Sequence, residues 1–429
     1  MNAARHTKRL LAALMASAIT VVDVHAAVTD IYSQPLATTS TVVAKPNLMF
    51  ILDNSGSMGN DYMPDEMNNS GKYGYRSAQC NGVAFDPALS YAPPVKYDGT
   101  SYPDVNFNAV PPDGYTNIGS SSRSSSTSLT VGTGSKVLTV SGGSLGSTSY
   151  AVNNAILITS QSNPLVWMSG LVSAYSYSSG TGTLTIDVTA SSGSGTSGSW
   201  TVSFGTDLNN STYYTYTGSQ TRMNWTYDSS GNVQTGTTFY GECQSNVGST
   251  PGSSVFTAVT LSNASATADK QNYANWYAYY RTRRLMMRTA SGRAFTALNN
   301  NFRVGFTVIS DTGVSAGTNW FVDVGDFDAS KKQAFYTSLY SATGNSSTPL
   351  RASLAKVGRY FANKAPNQQS DPMQYSCQRN YAILSTDGYW NTGTETSSYG
   401  PFRLSSNTNV GQQDGTEVKP MWDGAAAVS

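Results

Sequence analysis

The chain has 429 residues, enough for about two to three domains. Only 12% of them are charged and the formal net charge is +1, a balance that argues against nucleic-acid binding and against attraction to an acidic membrane. Gly, Ser, Thr, Asn and Tyr abound instead, as in extracellular bacterial surface proteins.

Arg5, Lys8 and Arg9 precede an apolar stretch from Leu10 to Val22, and Val24-His25-Ala26 offers a small-residue cleavage site before Ala27. Residues 1–26 therefore read as a secretory signal peptide, because the apolar core is too short to span a bilayer. No later segment reads as an integral membrane span, so the expected product is exported. Both histidines, His6 and His25, lie inside this peptide. The exported chain would then have none, which removes Ser-His-Asp hydrolysis, Cys-His proteolysis and His-ligated zinc, and the chain reads as a non-enzyme. Residues 27–45 are a polar, Thr-rich lead-in without periodicity.

Residues 46–58 carry the strongest local signal. The apolar run Leu48-Met49-Phe50-Ile51-Leu52 ends at Asp53-Asn54-Ser55-Gly56-Ser57. An unbroken run of this length predicts a buried parallel strand, and in open α/β sheets ligands bind where such strands end. Asp53, Ser55 and Ser57 would project oxygens into one space there. One carboxylate with two hydroxyls suits a hard divalent cation, Mg2+ or Ca2+, and does not suit zinc.

The helix expected next does not begin until about residue 268, so residues 59–267 read as an insertion. Its first part, 59–119, is rich in Tyr, Pro, Asn and Asp, and the prolines forbid long regular elements. Asp61, Asp65 and Glu66 in it are expected to form a solvated turn beside the Asp53 loop. Residues 120–206 alternate apolar positions (Val137, Val140, Ile156, Ile158, Leu184, Ile186, Val188, Trp200, Val202) between Gly and Ser, which predicts a small antiparallel β module. With Thr127 to Lys136, Asn163-Pro164 and Gly193 to Gly195 ahead of Trp200, this piece also resembles a module of phage tail and tail-fibre-associated proteins, which implies a binding or spacer role. Residues 207–267 read as a connector. Cys80 and Cys243 lie near the base of the insertion and are expected to pair, leaving Cys377 over.

Beyond the insertion, Asp269 to Leu298 predicts one long helix with Tyr273, Trp276, Tyr277 and Tyr280 as a core stripe and Arg281, Arg283, Arg284 and Arg288 as a solvated face. Phe302 to Ser310 predicts a second buried strand, and Trp320 to Val324 a short edge strand. Asp323, Asp326 and Asp328 invite a cation reading, but Asp328 directly precedes the helical stretch Ala329 to Tyr340 and suits its N-cap. Thr348 offers a hydroxyl from the loop ahead of a helix from Leu350 to Phe361. Tyr381 to Gly388 then repeats the pattern of an apolar strand ending in a carboxylate, Asp387.

Asp-x-Ser-x-Ser, then a loop threonine before a helix, then a strand followed by Asp-Gly, is the order of the metal-ion-dependent adhesion site of von Willebrand factor A domains. That resemblance implies an α/β fold with a Rossmann-like, mostly parallel sheet wrapped by helices, interrupted after its first strand by the large, partly all-β insertion. It further implies a divalent cation held by Asp53, Ser55, Ser57, Thr348 and Asp387, with an open coordination position for a partner's carboxylate. The likeness extends to Lys45 to Phe50, Asp61 to Pro64, Tyr91 to Pro94, Ala274 to Arg284 and Thr386 to Asn391, which resemble the amino-terminal half of type IV pilus tip proteins of the PilY1/PilC family. Such proteins are implied to reach the periplasm and then the cell surface or pilus tip. Their implied partners are other pilus-tip or minor pilin subunits and a host-cell or abiotic surface. Residues 268–429 would be the remainder of the A domain, expected to be truncated, since no strand and helix follow Asp387 and no carboxy-terminal propeller repeat is present. The alternative reading is an extracellular binding module, for glycans for example, with specificity in the β insertion and the A domain as scaffold.

Overall fold

The computed structural model describes residues 44–388 except 142–143, 221–224, 312, 315–319 and 345–346. The signal-peptide reading, both histidines, the lead-in up to residue 43 and everything after Gly388 lie outside the described residues.

All six residues of strand β1 (Asn47–Leu52) are buried. Next come the strands of the insertion: β2 (Ser120–Ser125), β3 (Leu129–Thr130), β4 (Gly134–Val140), β5 (Ala155–Ser160), β6 (Trp167–Ser178), β7 (Thr181–Ser192), β8 (Thr196–Ser197), β9 (Trp200–Phe204) and β10 (Thr212–Tyr216). Helix α1 (Thr238–Cys243) and strand β11 (Phe256–Thr260) close it. Helices α2 (Thr267–Tyr279) and α3 (Arg283–Thr296) follow, then β12 (Arg303–Val308), β13 (Val322–Asp326), α4 (Ala329–Ser341), α5 (Leu350–Phe361) and β14 (Asn380–Ser385).

The main sheet runs β13-β12-β1-β14. β1 is parallel to both neighbours, and Leu52 stands opposite Val308 on one side and Ser385 on the other. The carboxyl ends of three strands are thereby level. β13 is antiparallel to β12 at the edge, two residues later than the sequence predicts. Alternation along β1 sends side chains to two separate cores. Leu48, Phe50 and Leu52 join Phe295 of α3 and Phe335 of α4, with the Phe50 ring 5.2 Å from that of Phe295. Met49 and Ile51 join Leu350, Val357 and Tyr360 of α5 on the other face. The described chain is thus a mixed α/β protein with a central, mostly parallel sheet covered on both sides.

Residues 120–204 form a six-stranded antiparallel sheet, β2-β9-β5-β6-β7-β4, with its own core of Leu138, Val140, Ile156, Ile158, Ile186, Trp200 and neighbours. Residues 207–267 are more than the connector expected. β10 and β11 pair antiparallel, and Phe256 joins Met67, Tyr73, Phe239 and the cysteines in a further small core. There Cys80 and Cys243 form a disulfide, and Cys377 is free and exposed.

The aromatic stripe packs inward. Tyr273, Trp276 and Tyr279 are buried, and Trp276 Nε1 donates to Val83 O (3.0 Å) and Tyr279 Oη to Pro103 O (3.0 Å). The irregular segment 59–119 is therefore wrapped on α2, satisfying its backbone through side chains rather than a ladder. The expected single helix is broken at residues 280–282. Thr282 adopts extended geometry (φ −112°, ψ 158°) and its hydroxyl accepts from Leu285 N, capping α3 afresh. The arginine stripe is likewise corrected: Arg283 and Arg288 are buried, each against carboxylates. The three aspartates near β13 do not converge. Asp323 Oδ1 accepts from Tyr360 Oη, Asp326 pairs with Lys45, and Asp328 caps α4 by accepting from Lys331 N. No helix among the described residues is long and apolar enough to cross a membrane.

The disulfide closes 163 residues of chain around this small core. Replacing Cys80 and Cys243 by serine is expected to destabilise the protein by about 2–5 kcal/mol. Thermal melts of the variant and of wild type with reductant should fall together; a wild-type melt insensitive to reductant would contradict it.

Candidate functional site at the carboxyl ends of the parallel strands

The polypeptide leaves β1 at Asp53 and turns at once. Asp53, Asn54 and Ser55 are fully buried, because the level strand ends and the loops above them close over the turn. Asp53 Oδ1 accepts from Ser55 N (2.7 Å), which folds the loop back over its own first residue. Asp53 Oδ2 accepts from the Thr386 hydroxyl (2.8 Å), so the carboxylate bridges to the end of β14. The Ser55 and Ser57 hydroxyls lie 3.1 Å apart, and Ser57 Oγ donates to Asp387 Oδ1 (3.0 Å). A continuous hydrogen-bonded chain thus runs Thr386, Asp53, Ser55, Ser57, Asp387 across two adjacent strand ends, its Asp53–Ser55 link made by the Ser55 backbone amide. Four of the five residues singled out in the sequence are in it. The fifth, Thr348, is buried in the loop opening α5, where its carbonyl accepts from Leu350 N (3.0 Å).

Sequence reasoning missed three contributors. Thr386, next to Asp387, was readable as a further hydroxyl at a strand end. Asn54 ties the loop to the rest of the rim: its Nδ2 donates to Ser310 Oγ (2.8 Å) after β12 and to Thr343 O (2.9 Å), on the path toward Thr348. Arg283 is the third. Its Nη1 donates to Asp387 Oδ2 (2.7 Å), its Nε to Tyr62 O (2.7 Å) and its Nη2 pairs with Asp65. Burial opposes its charge, but the hydrogen bonds it donates to Asp65 and Asp387, with their negative charges, outweigh that and hold its pKa above the ordinary arginine value. The expected solvated turn therefore supplies one ion-pair partner, Asp65, whose side chain is 79% exposed. Arg284 fills the space left by Gly344, where a Cβ would collide with its guanidinium.

The donor set fits a hard cation. Asp53 is hydrogen-bonded to the Thr386 hydroxyl, and Asp387 to the Ser57 hydroxyl that pairs with Ser55, the carboxylate and hydroxyl chemistry that Mg2+ or Ca2+ accepts. Among the described residues no group of three or more His, Cys, Asp or Glu gathers, so a site here would rest on hydroxyls as much as on charge.

Beneath the rim, Lys356 of α5 is buried and donates to Asp311 O (2.8 Å) and Thr307 Oγ1 (3.1 Å), pinning the helix that follows Thr348 to the end of β12. Burial pushes its pKa down to about 8, against the opposing pull of the Asp311 carboxylate. A depressed lysine is charged in the unfolded chain up to about pH 10.4 but neutral in the fold above about 8. The unfolded state then binds more protons across that window, and stability rises with pH through it. Relative to Lys356→Met, wild type should gain stability between pH 8 and about 10.4, by up to about 3 kcal/mol. Denaturant unfolding of both proteins at several pH values checks this; a pH-independent difference would refute it.

These features define an α/β protein with an oxygen-rich site at the carboxyl ends of its parallel strands and a long insertion after the first of them. No family model matches the chain, and no solved structure matches it. Curated proteins do. It is 26% identical over 436 residues to the type IV pilus biogenesis factor PilY1 of Pseudomonas aeruginosa strain PAO1, covering 95% of this chain and 28% of that protein. It is 28% identical to PilY1 of strain UCBPP-PA14 over 84% of this chain and 24% of that protein. With PilY1 of strain PAK it shares 33% identity over 32% of its length. The chain is thus similar to PilY1 proteins over most of its length. It spans about a quarter of the length of the relatives that it matches over most of its own.

Proposed function

We propose that this is a non-enzymatic von Willebrand factor A-type domain that binds a partner carboxylate through a divalent cation, in a secreted type IV pilus adhesin and biogenesis factor. Asp53, Ser55 and Ser57 would hold the ion directly, with Thr348 and Asp387 completing the set directly or through water. Few charged ligands leave such an ion strongly electrophilic, and Mg2+ retains waters that an incoming Asp or Glu can displace. The partner would be another pilus-tip or minor pilin subunit, or a host-cell or abiotic surface, met after export at the cell surface or pilus tip. The curated relatives, named as type IV pilus biogenesis factors, support the pilus setting. The observation that carries the reading is the hydrogen-bonded chain linking Asp53 to Asp387 across the ends of neighbouring parallel strands.

Saturating Mg2+ or Ca2+ is expected to raise the melting temperature of wild type and leave Asp53→Ala unmoved. At a hundredfold excess over Kd the stabilisation would be about 2.7 kcal/mol. Asp53→Ala should also reduce piliation and surface attachment in the expressing bacterium. An identical cation response in both proteins, or undiminished piliation and attachment, would count against the site.

A second reading has one observation in its favour. A cleft of about 790 Å3 lies between α4, the segment around Tyr97 and Tyr115, and the β module at Gln161 and Asn163. Aromatic faces opposite amides and hydroxyls are the chemistry of neutral sugar binding, which would make the insertion the specificity element. Loss of adhesion on removing residues 120–206, with the cation response intact, would favour it.

A further inference from the structure

Asp387 has both of its oxygens engaged. Ser57 donates to Oδ1 and Arg283 to Oδ2, and the Arg283 and Asp387 side chains are only 5% and 8% exposed. A carboxylate so held is neutralised before any metal arrives. Water screens the pair little, and the guanidinium already supplies Asp387 with the positive charge that a divalent ion would bring. Arg283 has alternatives, however. Its Nη2 pairs with Asp65, on the outer side of the first insertion turn, and its Nε donates to Tyr62 O (2.7 Å). Released from Asp387, the guanidinium would keep a carboxylate and a carbonyl, so it would not become a bare buried charge.

We propose that Arg283 and the divalent cation compete for Asp387, with Asp65 as the acceptor that retains the arginine when Asp387 turns to the ion. This rests on the cation reading above and adds a residue that sets the affinity of the site. Arg283 keeps cation binding weak and ties it to the insertion turn, because every gain in Asp387 as a ligand is a loss in its ion pair. Asp65 acts in the opposite direction by drawing the arginine outward. A lysine cannot replace Arg283, since a single ammonium cannot hold both carboxylates in a planar fork.

Isothermal titration of the full chain with MgCl2 and with CaCl2, alongside thermal melts, tests this in wild type, Arg283→Gln, Asp65→Asn, the Arg283→Gln/Asp65→Asn double variant and Asp53→Ala. Arg283→Gln is expected to bind cation about tenfold tighter, within the usual range of such couplings, while melting lower without it. Asp65→Asn is expected to bind several-fold more weakly than wild type, but to change little in the Arg283→Gln background. Unchanged or weaker affinity in Arg283→Gln overturns the competition. An equal effect of Asp65→Asn in both backgrounds overturns the exchange and leaves a general charge effect; being exposed, Asp65 also provides the test if Arg283→Gln fails to fold. Cation binding that Asp53→Ala does not weaken removes the site itself, and the proposed function with it. Binding lost in Asp53→Ala but equal in wild type and Arg283→Gln removes only the present inference.

Discussion

The structure depends on keeping one parallel strand dry on both faces. β1 donates and accepts on two sides, to β12 and β14, and alternate side chains enter two different cores. A parallel ladder cannot expose a face to water without stranding apolar surface, so helices must cover it above and below. α2, α3 and α4 supply one layer and α5 the other. The same register that buries β1 brings three strand ends level. Asp53 follows directly after one, and Asp387 stands two residues past another. The rim chemistry is a by-product of the burial beneath it.

The parts legible in the sequence were those decided by neighbours in the chain. The apolar run ending at Asp53, the helix from Leu350 to Phe361 and the N-cap at Asp328 are local patterns, and the structure has them where the pattern puts them. The placement of Asp53, Ser55, Ser57 and Asp387 in one hydrogen-bonded chain was legible through a motif whose order survives a long interruption. Arg283 was not legible. Its partners Asp387 and Asp65 lie 104 and 218 residues away, and an arginine at helical spacing looks the same whether it faces water or a buried carboxylate. The helix break was missed because the aromatic and basic periodicity runs through it, while one threonine hydroxyl, bonding to Leu285 N, restarts the helix.

The insertion owes its order to contacts that periodicity does not report. Its first part takes its hydrogen bonds from α2, where Asn272 receives Tyr91 N and Asn275 donates to Asp104. Its last part folds around a disulfide and a cluster of aromatic rings, with Tyr73 stacked 5.3 Å from Phe256. Between them the β module keeps a core of its own. Cys80, Met67 and Tyr73 from one end of the insertion share a core with Cys243 and Phe256 from the other, so the two flanks support each other.

The chain departs from the α/β body at Asn60 and re-enters it at Arg283, and the amide of the second donates to the carbonyl of the first at 3.0 Å. Residues 61–282 thus start and end at one pinched neck, but Phe85, Tyr91, Phe107 and α2 within them pack into the same core as β1, and it is the β module that keeps a core of its own. Loop-closure entropy grows only slowly with length once the ends are joined, so lengthening or shortening loops of the β module costs the stem little, whereas removing residues that share the β1 core would cost it directly.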